Sequence, residues 1–156
     1  MLARPSVHLV RRTWDLMREL PAGRWAFSRL LGFYVPYSGT TGFLVDEIAD
    51  GRAVVRMQER PGIRNHLDSI HALALANVGE LTTGLAVHSS LPAHGRAILL
   101  GLTVSFVKKA RGGVVATCGV GIPPEPGRHD VEATAEVRDA AGDVVTTVTA
   151  VWRVER

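Results

Sequence analysis

The chain has 156 residues, 46% of them hydrophobic, 21% charged and 6% aromatic, which is enough to bury one core and too few for two ordinary domains. Its 16 Gly and 8 Pro follow no period, which argues against a disordered or fibrous chain, and a lone Cys118 excludes a disulfide framework and a multi-thiolate metal site. A formal charge of +3 is too mild to mark a nucleic-acid protein. The best apolar stretches, 97–107 and 70–78, fall short of the ~18 residues a spanning helix needs. Arg11 and Arg12 interrupt the N-terminal segment before a signal peptide could develop, so a cytoplasmic protein is expected.

The first third is predicted helical. Leu9, Trp14, Leu16, Met17 and Leu20, then Trp25, Phe27, Leu30, Leu31 and Phe33, roughly follow a helical face, and Pro21-Ala22-Gly23 divides them into two short helices. Residues 41–60 shorten to strand period around an Asp50-Gly51 hairpin signal, and Pro61-Gly62 opens a loop. One long helix, about 69–88, follows. Its apolar residues, from Ile70 through Leu75, Val78 and Leu81 to Leu85, cover nearly the whole circumference, so it is expected to be buried on most sides, with Asp68 or Ser69 as N-cap.

The second half reads as strand after strand. Ile98, Leu100, Leu102, Val104 and Phe106 are predicted to share one face, and Gly112-Gly113 turns the chain into a strand over 114–122. After a Pro-rich loop at 123–127, Val131, Ala133, Ala135 and Val137 alternate with charged residues. A turn at Ala141-Gly142-Asp143 leads into a final strand with Val144, Thr146, Val148, Ala150, Trp152 and Val154 on one side. About six strands, one all-round apolar helix and no βαβ unit predict an α+β antiparallel sheet curled around a central helix.

Polar residues interrupt this helix and the turn before it: Asn65, His66, Asp68, His71, Asn77 and Glu80. No Lys or Arg lies three or four positions from Glu80. A carboxylate without a partner on an apolar helix costs stability unless it reaches water, another element or another chain, which makes Glu80 a functional candidate. A narrow exposed stripe or a bond to Thr83 is the plain structural alternative. The helix start, around the Ala72 N–H, is an anion-binding pole, and Glu80 stands about 12 Å further along the axis. Two antiparallel copies of the helix across a two-fold axis would bring Glu80 of one chain to the helix start of the other.

The run from Asn65 through His66, Ser69, His71, Ala72 and Leu73 to Glu80 resembles the helix-opening segment of hotdog-fold acyl-CoA thioesterases of the phenylacetate-pathway type. More closely it resembles an uncharacterised bacterial hotdog family with helices placed before the domain. The resemblance covers roughly residues 38–155. It implies a hotdog domain over 38–156, an N-terminal helical extension over 1–37, and a homodimer or dimer of dimers that hydrolyses a fatty or aryl acyl thioester without a metal or redox cofactor. It further implies that Glu80 activates water, Asn65 holds the nucleophile or substrate, and the Ala72 N–H polarises the thioester carbonyl, with His66, His71, Ser69 and Leu73 completing the site. The family's two glycines after the His are Ala72 and Leu73 here. Lys108, Lys109 and Arg111 suit the phosphates of CoA, or form a solvated, charge-blocked sheet edge.

Other readings stay open. A non-catalytic acyl-CoA or lipid-binding protein would keep the fold without the glycine pair. His66 stands fourteen residues before Glu80, a separation like that in hotdog 3-hydroxyacyl dehydratases, although His66 is followed by Leu67-Asp68-Ser69 instead of their Phe-Pro-Gly. The arginine-rich N-terminal helices could dock a partner or an acidic membrane surface, or cover the acyl end as a lid. His66 and His71, five apart across a helix start, do not make a metal pair.

Overall fold

Three helices precede the sheet in the computed structural model, which describes residues 7–156. The two predicted helices are α1, Val7–Met17, and α2, Gly23–Tyr34; a single turn, α3, Pro36–Gly39, follows them. The break between α1 and α2 is sharp for a steric reason. Ala22 is left-handed at φ 57, and a side chain on Gly23 would collide with the Met17 carbonyl. Trp14, Phe27 and Leu31 are buried in the same core as the sheet, and the Val45 N–H donates to Ser28 Oγ at 2.8 Å, tying α2 to the first strand.

Six antiparallel strands form one sheet: β1 Leu44–Ala49, β2 Arg52–Gln58, β3 Arg96–Phe106, β4 Gly113–Gly119, β5 Arg128–Asp139 and β6 Val144–Glu155. Their order is β1-β2-β4-β5-β6-β3, so β1 and β3 are the two edges. The Asp50-Gly51 and Gly142 turns stand where the sequence predicts them, both glycines at positive φ (71 and 86). The long helix α4, Ala72–Ser89, packs against the sheet, and every strand touches it. The expected α+β hotdog architecture, a sheet wrapped around a central helix after N-terminal helices, is the one observed.

Three local expectations are corrected. The helix begins at Ala72 rather than 69, and its cap is His71, whose Nδ1 accepts from the Leu73 N–H, not Asp68 or Ser69. Asp68 is unavailable because it sits at φ 50 in the preceding turn. The strand predicted over 114–122 stops at Gly119. In β3 a bulge at Leu100 shifts the register between Leu99 and Gly101. Leu102, Val104 and Phe106 therefore pair with Ala150, Val148 and Thr146 on the helix-covered face, whereas Ile98 pairs with Arg153 on the other face.

Candidate functional site

The segment between β2 and α4 is a clasp built around one side chain. Asn65 Oδ1 accepts from the Leu67 N–H (2.9 Å), the Ser69 N–H (3.3 Å) and Ser69 Oγ (3.1 Å). Three donors fix it as the amide's oxygen and leave Nδ2 free to donate. The turn is held from outside by backbone bonds from Ile70 N–H to the Ala110 carbonyl and from His71 N–H to the Ile63 carbonyl. Arg111 Nε also donates to the Asp68 carbonyl at 2.9 Å.

At the start of α4 the orphan donors are divided in an informative way. Ala74 and Leu75 N–H reach the His71 carbonyl, and Leu73 N–H reaches His71 Nδ1 at 3.1 Å. The Ala72 N–H has no acceptor among the described residues, and it carries the positive end of the helix. It opens on a cavity of about 190 Å³ lined by Asn65, Ser69, Ala72, Leu75, Phe106 and Lys109 among others. An anion or a polarised carbonyl would find there one free backbone donor, one amide and an apolar wall.

Glu80 stands two turns on. Its carboxylate forms no ion pair or hydrogen bond among the described residues; the Thr83 hydroxyl donates instead to the Glu80 backbone carbonyl. The side chain is half-buried, and desolvation pushes its pKa above the usual carboxylate value. Seven residues apart, Leu73 and Glu80 lie within about 20° of each other around the helix axis, and Leu73 is 62% exposed. α4 also touches the edge strand β3, whose Leu102 and Phe106 remain exposed.

The structure thus brings Asn65, Ser69, Ala72, Lys108 and Lys109 around one cavity, and leaves Glu80, His66, His71, Leu73 and Arg111 outside its lining. His66 is exposed on the turn. Lys108 is committed to Asp139 (2.8 Å) and Asp143 (2.5 Å), which raise its pKa, while Lys109 has no ion pair among the described residues. Arg111 acts on the Leu67 and Asp68 carbonyls. Sequence reasoning missed Asn77 as a link to α3, where its Nδ2 donates to Ser38 Oγ at 3.0 Å. The periodic pattern reads Leu75 and Phe106 as core rather than acyl-tunnel wall; Leu75 is buried in the core and also lines the cavity, and Phe106 lines it while remaining exposed.

The strand order and the single helix cradled by the sheet define a hotdog-fold protein. Over residues 23–154 the chain matches the family described as Domain of unknown function (DUF4442), and it belongs to that family. No curated protein matches it. Among solved structures it is similar to a genomics target, "genomics APC5556", at 24% identity, 94% coverage of this chain and 98% of that one, with a TM-score of 0.82. A Pseudomonas aeruginosa protein of unknown function, described as a probable thioesterase, aligns at 20% identity over 87% of this chain and 96% of its own, with a TM-score of 0.74. A mutant thioesterase enzyme of Staphylococcus aureus aligns at 15% identity over 78% and 99%, with a TM-score of 0.69. These likenesses establish the shared fold.

Proposed function

We propose that two copies of the chain join along their β3 edges and hydrolyse an acyl thioester in composite sites, the helix start of one copy facing Glu80 of the other. The observation that carries this reading is Glu80 itself: a half-buried carboxylate without a partner among the described residues, on a helix that packs against an edge strand whose Leu102 and Phe106 are uncovered. Pairing through β3 would satisfy that strand's free backbone groups and cover Leu102 and Phe106. The thioesterase descriptions of the Pseudomonas and Staphylococcus proteins support the same chemistry.

In this mechanism Glu80 takes a proton from water, whose oxygen attacks the thioester carbonyl carbon. The Ala72 N–H of the other copy donates to the oxyanion, and Asn65 Nδ2, held in place by its locked Oδ1, orients the water or the carbonyl. Collapse breaks the C–S bond; the thiolate leaves and is protonated, and the products are a carboxylic acid and a free thiol. Desolvation serves the base, because an ordinary carboxylate is too weak to accept a proton near neutral pH. Lys109 at the cavity rim would meet the phosphates of CoA. Lys108, neutralised by two aspartates, would contribute little, and Arg111 would act by holding the turn.

The test is thiol release from short, medium, long and aryl acyl-CoAs, with the assembly state measured by light scattering. Turnover by a dimer that falls about 10²- to 10⁴-fold in Glu80→Gln, with the dimer intact, is the expected result. Full turnover in the variant would overturn the mechanism. One observation favours a second reading, a non-catalytic acyl-CoA binder: His71 Nδ1 occupies the Leu73 N–H, leaving a single backbone donor at the helix start. Acyl-CoA binding by calorimetry without turnover of any panel member would select it.

A further inference from the structure

Helix α2 is apolar on two opposite sides. Phe27 and Leu31 face the core, yet Trp25 (61% exposed) and Phe33 (90% exposed) face outward, Leu30 and Tyr34 lie exposed along the groove between α2 and α1, and Tyr37 of α3 is exposed as well. Trp25, Arg29 and Phe33 fall at i, i+4 and i+8, a single stripe along the exposed side. A surface helix that spends large aromatics on solvent has a missing partner.

The charge on this face identifies the partner's chemistry. Arg24 and Arg29 make no ion pair among the described residues, and the sequence has no carboxylate between Glu19 and Asp46. The first 43 residues hold six arginines against only Asp15 and Glu19, and Asp15 is shared by Arg11 and Arg18. A second copy of the same face would set Arg29 against the Arg29 of its partner. An acidic, partly apolar surface complements it instead. The strand order adds a geometric argument: α2 packs on β1, at the opposite edge of the sheet from β3, so association through β3 leaves α2 open.

We propose that the outer face of α2 docks the protein on an anionic lipid bilayer, Arg29 engaging a lipid phosphate while Trp25 and Phe33 enter the interface. Guanidinium groups match phosphate oxygens bidentately, and Trp and Tyr place an apolar ring and a polar tip at headgroup level. No described helix is long and apolar enough to cross a membrane, and the contact is a peripheral one. The inference goes beyond the thioester reading and does not depend on it.

The experiment uses the full chain with vesicles of phosphatidylcholine alone and of phosphatidylcholine containing about 30% phosphatidylglycerol. Trp14 and Trp152 are buried, so a blue shift of the exposed tryptophan emission reports on Trp25. Co-sedimentation with the anionic vesicles only, a blue shift, and release in about 0.5 M salt are expected. Arg29→Gln should weaken binding about fivefold. Trp25→Phe should abolish the spectral shift while binding persists, and Phe33→Ser should weaken binding without altering the thermal transition. Failure to bind anionic vesicles at low salt would overturn the proposal, as would equal binding to neutral ones. Self-association in vesicle-free buffer that Phe33→Ser abolishes would overturn it in favour of a contact between copies.

Discussion

Gly79 decides how closely α4 lies on the sheet, and with it the height at which the neighbouring Glu80 is presented. A β-carbon at this position would come within 2.3 Å of Val148 Cγ2 and 2.7 Å of Val148 Cβ, where carbon atoms are at ease at about 3.5–4.0 Å. Val148 has nowhere to move: it is fully buried in β6, flanked by Ala135 of β5 and Val104 of β3. Gly79→Ala must therefore lift the helix by about 1 Å. The alanine's helix propensity returns at most about 1 kcal/mol, against an overpacking cost toward the upper end of about 1–3 kcal/mol. A net loss of about 1–2 kcal/mol should lower the melting temperature by about 2–8 °C for a chain of this size. Urea and thermal unfolding of Gly79→Ala, Val148→Ala and the double variant form the test, with thiol release measured in parallel. Val148→Ala removes the nearest clashing atom, Cγ2, so the double variant should be more stable than the sum of the single effects by about 1 kcal/mol. A Gly79→Ala protein as stable as the parent, with additive effects in the double variant, would refute the packing argument.

Thr83 accepts the buried Trp152 Nε1–H at 3.1 Å, so Thr83→Val should strand that donor and cost about 1–3 kcal/mol in urea unfolding. Burial lowers the pKa of His88, whose Nδ1 has no partner among the described residues and lies beside the Trp152 ring. The folded chain then binds fewer protons than the unfolded one below the usual histidine pKa of 6.5, and stability should decline as pH falls through that value, a slope that His88→Phe removes. Glu80 gives the opposite sign: its raised pKa makes the folded state bind more protons, so its penalty grows as pH rises above 4.5, and Glu80→Gln should be the more stable protein at neutral pH. Cys118 is buried and its thiol is pushed up to about 11; a thiol reagent at pH 8 should label it only after denaturant is added.

Patterns that repeat within a few residues were readable from the sequence alone. Alternation in β5 and, from Thr146 onward, in β6, the glycine turns at Gly51 and Gly142, and the all-round apolar α4 each follow from local sterics and burial, and together they specify the sheet and its helix; a register shift at Val145 puts Val144 on the face opposite Thr146. The isolated Glu80 was legible in the same way, because its neighbours at i±3 and i±4 are known from the sequence. What escaped depends on contacts between distant segments. Lys108 reads as a free phosphate ligand until Asp139 and Asp143 arrive from the β5–β6 turn. His71 takes the capping role because Asp68 is spent on a left-handed turn that Arg111 holds from more than forty residues away. The Leu100 bulge, which puts Ile98 on the face opposite Leu102, leaves no mark on the alternation of Ile98, Leu100, Leu102, Val104 and Phe106 in the sequence.

The position of β3 also has a consequence for the order in which the protein can be built. β3 hydrogen-bonds to β6 alone, its residues 96–106 pairing with 146–155 at the far end of the chain. During synthesis this long apolar strand must therefore wait for the ~50 residues that follow it, roughly 2.5–10 s at about 5–20 residues per second. Throughout that interval it has no partner on either side. A ribosome that stalls within β5 would expose a nascent chain with Leu102, Val104 and Phe106 unprotected, while a completed chain covers one side of the strand at a stroke. Slow codons or pausing after residue 106 should consequently lower the yield of folded protein more than the same delay placed before residue 96, because only the later pause leaves β3 waiting.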